Sequence, residues 1–424
     1  MTDRSGDLLS FIDASPTPYH AVREAARRLG DAGAVAVEPV AAWPGQGFHV
    51  LSVDGALVAW DDRGHAPSAG FRLIGAHTDS PNLRVKPRPD RSVAGFDQLG
   101  IEPYGGLLRN SWLDRDLGIA GRAVVRTPGH PGSTRTRLFR DDRAILRVPQ
   151  LAIHLDRDQN EGLRLDPSRH LTPVWGLADR HRSFHAYVAD ALDVEASDIL
   201  AIDAMCHDTA PAGYLGVDEE LISAPRLDDQ ASCYGAVAAL VDAVAAGDRR
   251  HVPLIVLFDH EEVGSESTTG AAGPLLRTVI ERSVLGRGGS TDDAARALAD
   301  SMCCSADMAH GLHPNHPERH DPDHPVLVGG GPVIKTNVNQ RYATSDRSAA
   351  EFRLACERAG VPVQVYAHRN DLPCGSTIGP ITAAGLGIAT VDVGMPQLSM
   401  HSIRELMATR DVASMVAAFT AWFS

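Results

Sequence analysis

Cysteine is scarce and unpatterned in this chain: six in 424 residues, at 206, 233, 303, 304, 356 and 374, with no C-x-x-C pair. That suggests neither a disulfide framework nor a thiolate zinc site, and it fits reduced thiols in a cytoplasm. Long apolar runs are missing too, since no window approaches the roughly 18 consecutive apolar residues of a membrane span. The first fifteen residues carry only Leu8, Leu9, Phe11 and Ile12 as an apolar cluster, without the basic start and longer apolar run of a signal peptide. Positive charge is also in deficit: 40 Lys and Arg against 54 Asp and Glu leave a formal charge of −14. Broad attraction to nucleic acid or anionic lipid is therefore not expected.

What is present is an ordinary globular composition, 43% hydrophobic and 22% charged. At about 150 residues per domain, the length suggests two or three domains. Thr17-Pro18 reads as a helix cap followed by proline at the first helical position, with the helix ending before Gly30. Residues 48–60 hold two apolar runs around Asp54-Gly55, a hairpin signature, and residues 71–76 form a strand ending at His77. After residue 87 the chain becomes rich in Gly, Pro, Arg and Asp. Its apolar stretches, such as 123–125 and 151–155, are short, as in β structure and loops. An Ala-rich helix over 230–246 and a buried strand over 252–258 restore a helix-strand alternation. It continues through helix 348–358, strand 361–366, helix 381–384, strand 388–393 and helix 411–422. The expectation is an α/β layer sandwich, residues 1–86 and 218–424, split by an inserted, mainly β domain over 87–217. The His- and Pro-rich tract 313–325 reads as a loop, because Pro314, Pro317 and Pro322 forbid a regular helix.

Five short segments carry the chemistry. In His77-Thr78-Asp79, a strand end presents an imidazole, and a carboxylate follows two residues later on the same side; Asp79 could orient the second nitrogen of a metal-binding His77. Alone, this reads first as a hydrogen-bonded loop histidine and needs partners to be a ligand. Asp228 and Asp229 precede the Ala-rich helix, where they could cap it or bind metal. Asp259, Glu261 and Glu262 crowd the mouth of strand 252–258 and need a cation or wide solvent exposure. Gly264 stands where H-E-x-x-H would need its second histidine, so the zincin helix is excluded. Asp307 and His310 add a carboxylate and an imidazole, and His401 a late one. Together His77, Asp228, Glu262, Asp307 and His401 could ligate two metals if one carboxylate bridges, leaving Glu261 as a base.

These segments closely resemble the aspartyl aminopeptidase family of co-catalytic zinc metallopeptidases: HTDSPNLRVK at 77–86, RLDDQ at 226–230, HEEVGSES at 260–267, SADMAHGLHPN at 305–315 and MHSIRE at 400–405. LAIHL at 151–155, GPVIKTNVNQRYA at 331–343 and RNDLPCGSTIGP at 369–380 extend the likeness over nearly the whole chain. The resemblance implies a three-layer α/β/α metallopeptidase domain and two divalent ions, with zinc in at least one site. His77 and Asp307 would hold one ion, Glu262 and His401 the other, with Asp228 bridging and Glu261 as general base and acid. Asp79 would orient His77, while His310 and the 375–377 backbone would be oxyanion donors. Lys335, with Tyr342 nearby, would meet the acidic side chain of peptides that begin with Asp or Glu.

The insertion resembles the family's dimerisation domain. Its His154 would reach the neighbouring subunit's site within dimers that build a homo-oligomeric dodecamer; the alternative for His154 is a buried strand histidine. A departure is Asp259-His260, where relatives often carry Asp-Asn. Rival readings are a two-metal aminopeptidase of broader preference and a non-catalytic assembly or cargo protein on the same fold.

Overall fold

Strand Val252–Phe258 is apolar at every position, as a strand covered on both faces must be. Leu254, Val256 and Phe258 point to one side and Ile255 and Leu257 to the other. This strand lies inside a nine-stranded sheet. The strand order is Val35–Ala36, Phe48–Val53, Ala56–Asp61, Val252–Phe258, Phe71–His77, Met302–Ala306, Ala389–Gly394, Val333–Thr336 and Gln364–Ala367. The computed structural model describes residues 3–130, 132–179, 183–247 and 249–424.

Helices Arg4–Ala14, Pro18–Asp31, Leu227–Ala246, Asp346–Ala359 and Thr409–Trp422 bury Phe11, Leu29, Leu240, Phe352 and Phe419 against one face of the sheet. On the other face, helices Leu275–Gly286, Thr291–Ala299 and Ile378–Leu386 bury Val279, Ala297 and Ile378 against Leu73, Leu254 and Val256. The result is the expected α/β/α sandwich. A smaller sheet of five short strands, among them Leu221–Ala224 and Glu405–Ala408, belongs to the same unit. This first compact unit comprises the described residues of Met1–Asp79, Ala212–Met400 and Glu405–Ser424, and a second comprises those of Ser80–Pro211 with His401–Arg404.

Local signals explain several elements. The Thr17 hydroxyl accepts from the His20 N–H at 3.4 Å, and Pro18 occupies the first turn. The helix does not stop before Gly30 but runs to Asp31, since one glycine in a helix interior costs only about 1 kcal/mol. Asp54, at φ 52°, makes the left-handed turn between Phe48–Val53 and Ala56–Asp61. The sequence reading missed helix Arg4–Ala14, which Asp3 caps through Gly6 N and which buries Leu8, Phe11 and Ile12. It also missed the pair Leu275–Gly286 and Thr291–Ala299, the second opened by a Ser290–Asp293 capping box.

The second unit is a closed six-stranded barrel in the order Ile199–Asp208, Asn82–Val93, Phe96–Tyr104, Val174–Leu177, Thr134–Arg147 and Asp116–Arg126. Leu99, Leu117, Ile119, Phe139 and Val148 fill it, and helix Phe184–Leu192 packs on it. One expectation is corrected here. Residues 151–155 form no strand, and His154 is not a buried strand histidine: it lies exposed in a turn with Leu151, Ile153 and Leu155 also exposed. In the first unit, truncating Leu257, which is fully buried in the larger core, should cost about 3 kcal/mol. Urea unfolding of Leu257→Ala should show a lower midpoint with an unchanged slope.

Candidate active site

Three neighbouring strands, Phe71–His77, Val252–Phe258 and Met302–Ala306, run parallel, so their carboxyl ends open on one side of the sheet. Crevices at such ends are the usual ligand sites of open α/β sheets. Each strand delivers a ligand-type residue there: His77 on the first, Glu261 and Glu262 just after the second, and Asp307 just after the third. Asp228 and Asp229 come from the start of Leu227–Ala246, where both have non-helical backbone angles and are joined by a cis peptide bond.

The side chains converge tightly. His77 Nε2 lies 3.3 Å from Asp228 Oδ1, 3.9 Å from Asp307 Oδ1 and 4.0 Å from Asp229 Oδ2. One ligand atom from each of His77, Asp228, Asp229 and Asp307 falls within 4.8 Å of all the others, and the same holds for His77, Glu261 and Glu262. His77 Nδ1 is 2.9 Å from the main-chain oxygen of Asp79 and 3.5 Å from its carboxylate. The carbonyl is thus the nearer partner of the ring. The Asp79 carboxylate instead accepts from Glu261 N at 3.0 Å and Glu262 N at 3.1 Å, holding the acidic turn against the end of the first strand.

Two further residues, absent from the sequence-based set, support this frame. The buried Glu405 carboxylate accepts from Asp228 N at 2.9 Å, and the Cys233 thiol donates to the His77 carbonyl at 3.0 Å. Glu405 stood within a quoted motif, but nothing in the sequence marked which backbone group it would bind.

Electrostatics show what the cluster calls for. Burial alone would lower the His77 pKa, but the charge of Asp229 and hydrogen bonds with Asp228, Asp307 and Asp79 raise it well above the ordinary imidazole value. Burial, reinforced by Asp307 and Asp228, raises Asp229 well above the ordinary carboxylate range against the opposing pull of His77. Glu261 is pushed up to about 7, first by burial and then by Asp307, Asp228 and Asp79, with His77 opposing. Acids that hold protons this firmly are short of positive charge. Carboxylate oxygens with an imidazole are a donor set that zinc accepts, so the residues present fit a divalent ion.

Lys335 completes this side of the sheet. It is 2% exposed, and its ammonium donates to the carbonyls of Asp307 at 3.0 Å and Met308 at 3.2 Å. It lies 3.6 Å from Asp307 Oδ2 and 5.1 Å from the centre of the buried Tyr342 ring. His310 is exposed at the end of a two-residue strand, its ring 6.1 Å from that of Tyr366. Of the 375–377 backbone, Thr377 is buried as the cap of helix Ile378–Leu386. Tract 313–325 is turns with one short 3-10 helix, Pro317–Arg319.

The first unit therefore gathers His77, Asp79, Asp228, Glu261, Glu262, Asp307, Lys335 and Tyr342. His401 and His154 belong to the second. There His401 has φ 66°, with Nδ1 3.2 Å from the Gly106 carbonyl and its own carbonyl accepting from Leu108 N at 3.0 Å.

An ion that binds the folded cluster but not the unfolded chain adds about 2.7 kcal/mol of stability at a hundredfold excess over its Kd. Chelator-stripped protein should melt several degrees below zinc-restored protein in differential scanning fluorimetry, and Asp228→Ala should erase most of that difference.

Comparison with known proteins agrees with this geometry. Residues 11–423 match the family model for aminopeptidase I zinc metalloprotease (M18). The chain is 51% identical over 429 residues to probable M18 family aminopeptidase 2 of Mycobacterium leprae, covering 100% of this chain and 99% of the relative. It is 52% identical over 412 residues to the protein of the same name in Streptomyces coelicolor, covering 96% and 94%. Among solved structures, a chain of the Ape4 and Nbr1 complex superposes with a TM-score of 0.94 at 33% identity, covering 99% of this chain and 85% of that one. The S. cerevisiae mApe1 dodecamer gives 0.87 at 28%, covering 99% and 96%. By its sequence over almost its full length, the chain belongs to the M18 family of zinc metallo-aminopeptidases.

Proposed function

We propose that this aminopeptidase removes N-terminal Asp or Glu from peptides, using two divalent ions, at least one of them zinc. The observation that carries the acidic preference is the buried Lys335, whose ammonium sits beside Asp307 at the edge of the acid cluster. Two of its three N–H groups are committed to the Asp307 and Met308 carbonyls. The third would turn to a substrate carboxylate in competition with the Asp307 carboxylate 3.6 Å away, and a charge-assisted bond in a partly dry site is worth far more than one in water.

His77 and Asp307 would hold one ion, Glu262 and His401 the other, and Asp228 would lie between them. Bound there, the ions would polarise the scissile carbonyl and acidify a water molecule. Glu261, whose backbone is fixed by the Asp79 carboxylate, accepts the proton of the attacking water. It then returns that proton to the leaving amine. His77 is held in orientation by the Asp79 carbonyl. His310 and the 375–377 backbone are assigned to the oxyanion.

Assembly is part of the same reading. The barrel unit is assigned to dimer formation, the exposed His154 turn to the neighbouring subunit's site, and the dimers to a dodecamer like that of mApe1. The six free thiols fit a reducing, cytoplasmic setting, and among the described residues no helix is long and apolar enough to cross a membrane.

Glu261→Gln should retain its metal by elemental analysis while kcat falls by about 10²- to 10⁴-fold, the usual contribution of general acid-base catalysis. Lys335→Met should lower the ratio of kcat/KM for Asp over Leu aminoacyl substrates by roughly tenfold or more, about the worth of one charge-assisted hydrogen bond. A Leu substrate cleaved faster than an Asp substrate by the unaltered protein would favour the broader-specificity reading instead.

A further inference from the structure

Behind Lys335 lies a buried acid that the mechanism does not use. Asp392, in strand Ala389–Gly394, is 0% exposed and stands directly across the antiparallel pair from Lys335, so the two side chains leave the sheet on the same face. A carboxylate without solvent needs donors, and three converge on it. Oδ1 accepts from the Ser305 hydroxyl at 2.7 Å and the Thr377 hydroxyl at 2.6 Å, and Oδ2 accepts from Ala343 N. The backbone answers in the other direction, with Asp392 N donating to the Thr344 hydroxyl at 2.9 Å. Residue 379 is glycine where a Cβ would collide with this carboxylate.

Two of the donors adjoin residues that contact Lys335, and the third opens a neighbouring helix. Ser305 is on strand Met302–Ala306, just before Asp307, whose carbonyl anchors the ammonium. Ala343 follows Tyr342, whose ring faces that ammonium. Thr377 caps helix Ile378–Leu386 through Gly379 N at 3.2 Å. The three residues are far apart in sequence, and the Asp392 carboxylate is the group they share.

We infer that Asp392 is a positioning residue for substrate selection: it fixes the Tyr342–Ala343 turn and the Asp307 strand around Lys335, so that the ammonium is presented to an acidic first side chain. This rests on the reading of Lys335 as the acid-recognising group. Burial raises the Asp392 pKa while the Lys335 charge pulls it down, which agrees with the lysine lying within its field.

The test is a double-mutant cycle read by steady-state kinetics on Asp and Leu aminoacyl substrates. Asp392→Asn keeps the volume but weakens the set of bonds. It should raise KM for the Asp substrate by about tenfold, the equivalent of one well-formed hydrogen bond, while kcat on the Leu substrate changes less than about twofold. In the Lys335→Met background the same substitution should leave the Asp-to-Leu ratio unchanged, because residues acting through one another are not additive. Equal loss on both substrates, or full additivity with Lys335→Met, would show a merely structural role and overturn the inference. If Asp392→Asn does not fold, the double variant Ser305→Ala with Thr377→Val removes two donors and should shift the ratio in the same direction; an unmoved ratio there overturns it equally. A wild-type ratio near one would instead sink the acidic-substrate reading, and this inference with it. A wild-type preference that Asp392→Asn leaves intact defeats this inference alone.

Discussion

Mutual repulsion among carboxylates is the constraint around which the catalytic unit is organised. Asp228, Asp229, Asp307, Glu261 and Glu262 are gathered about one imidazole where three parallel strands end. Acids so placed tend to recruit protons or cations. The scaffold resists spreading them apart: the Asp79 carboxylate pins the Glu261 and Glu262 amides, and Glu405 pins that of Asp228. The same negative charges that would destabilise an ordinary core make the cluster one that could hold a metal ion.

Much of this could be read from residue order. The strand at 252–258 is legible because seven consecutive apolar residues are bounded by an acidic turn, and His77 announces itself by standing where a second apolar run stops. The architecture followed from alternation of helix and strand. Strand order did not, because Val252–Phe258 inserts between Ala56–Asp61 and Phe71–His77, and pairing across some two hundred residues leaves no local trace. Helix Arg4–Ala14 leaves a weak trace in the sequence, since only three of its residues are buried. The short apolar stretch 151–155 is compatible with a strand or a loop, and it is a loop whose apolar side chains nothing covers among the described residues of this chain.

At the site, residue types were legible and atoms were not. The sequence pairs His77 with Asp79, but only geometry shows that the carbonyl faces the ring while the carboxylate binds two amides on another segment. Lys335 reads in isolation as a solubilising surface lysine. It is buried because two main-chain oxygens and an aromatic face replace its water. Asp392 was invisible for a related reason: a single acid in an apolar strand carries no sign of donors that come from 305, 343 and 377.

The path of the chain has a bearing on biosynthesis. The six barrel strands all lie between Asn82 and Asp208, so the barrel can close while the rest of the polypeptide is still emerging from the ribosome, with His401–Arg404 joining the unit last. Strand Phe71–His77 must wait for partners more than 170 residues downstream, and distant pairing of this kind is slow. During that interval an apolar strand stands without neighbours on either edge. A nascent chain of this protein is thus most exposed to aggregation between completion of the barrel and arrival of residues 252–306, the window in which a chaperone would have most to shield.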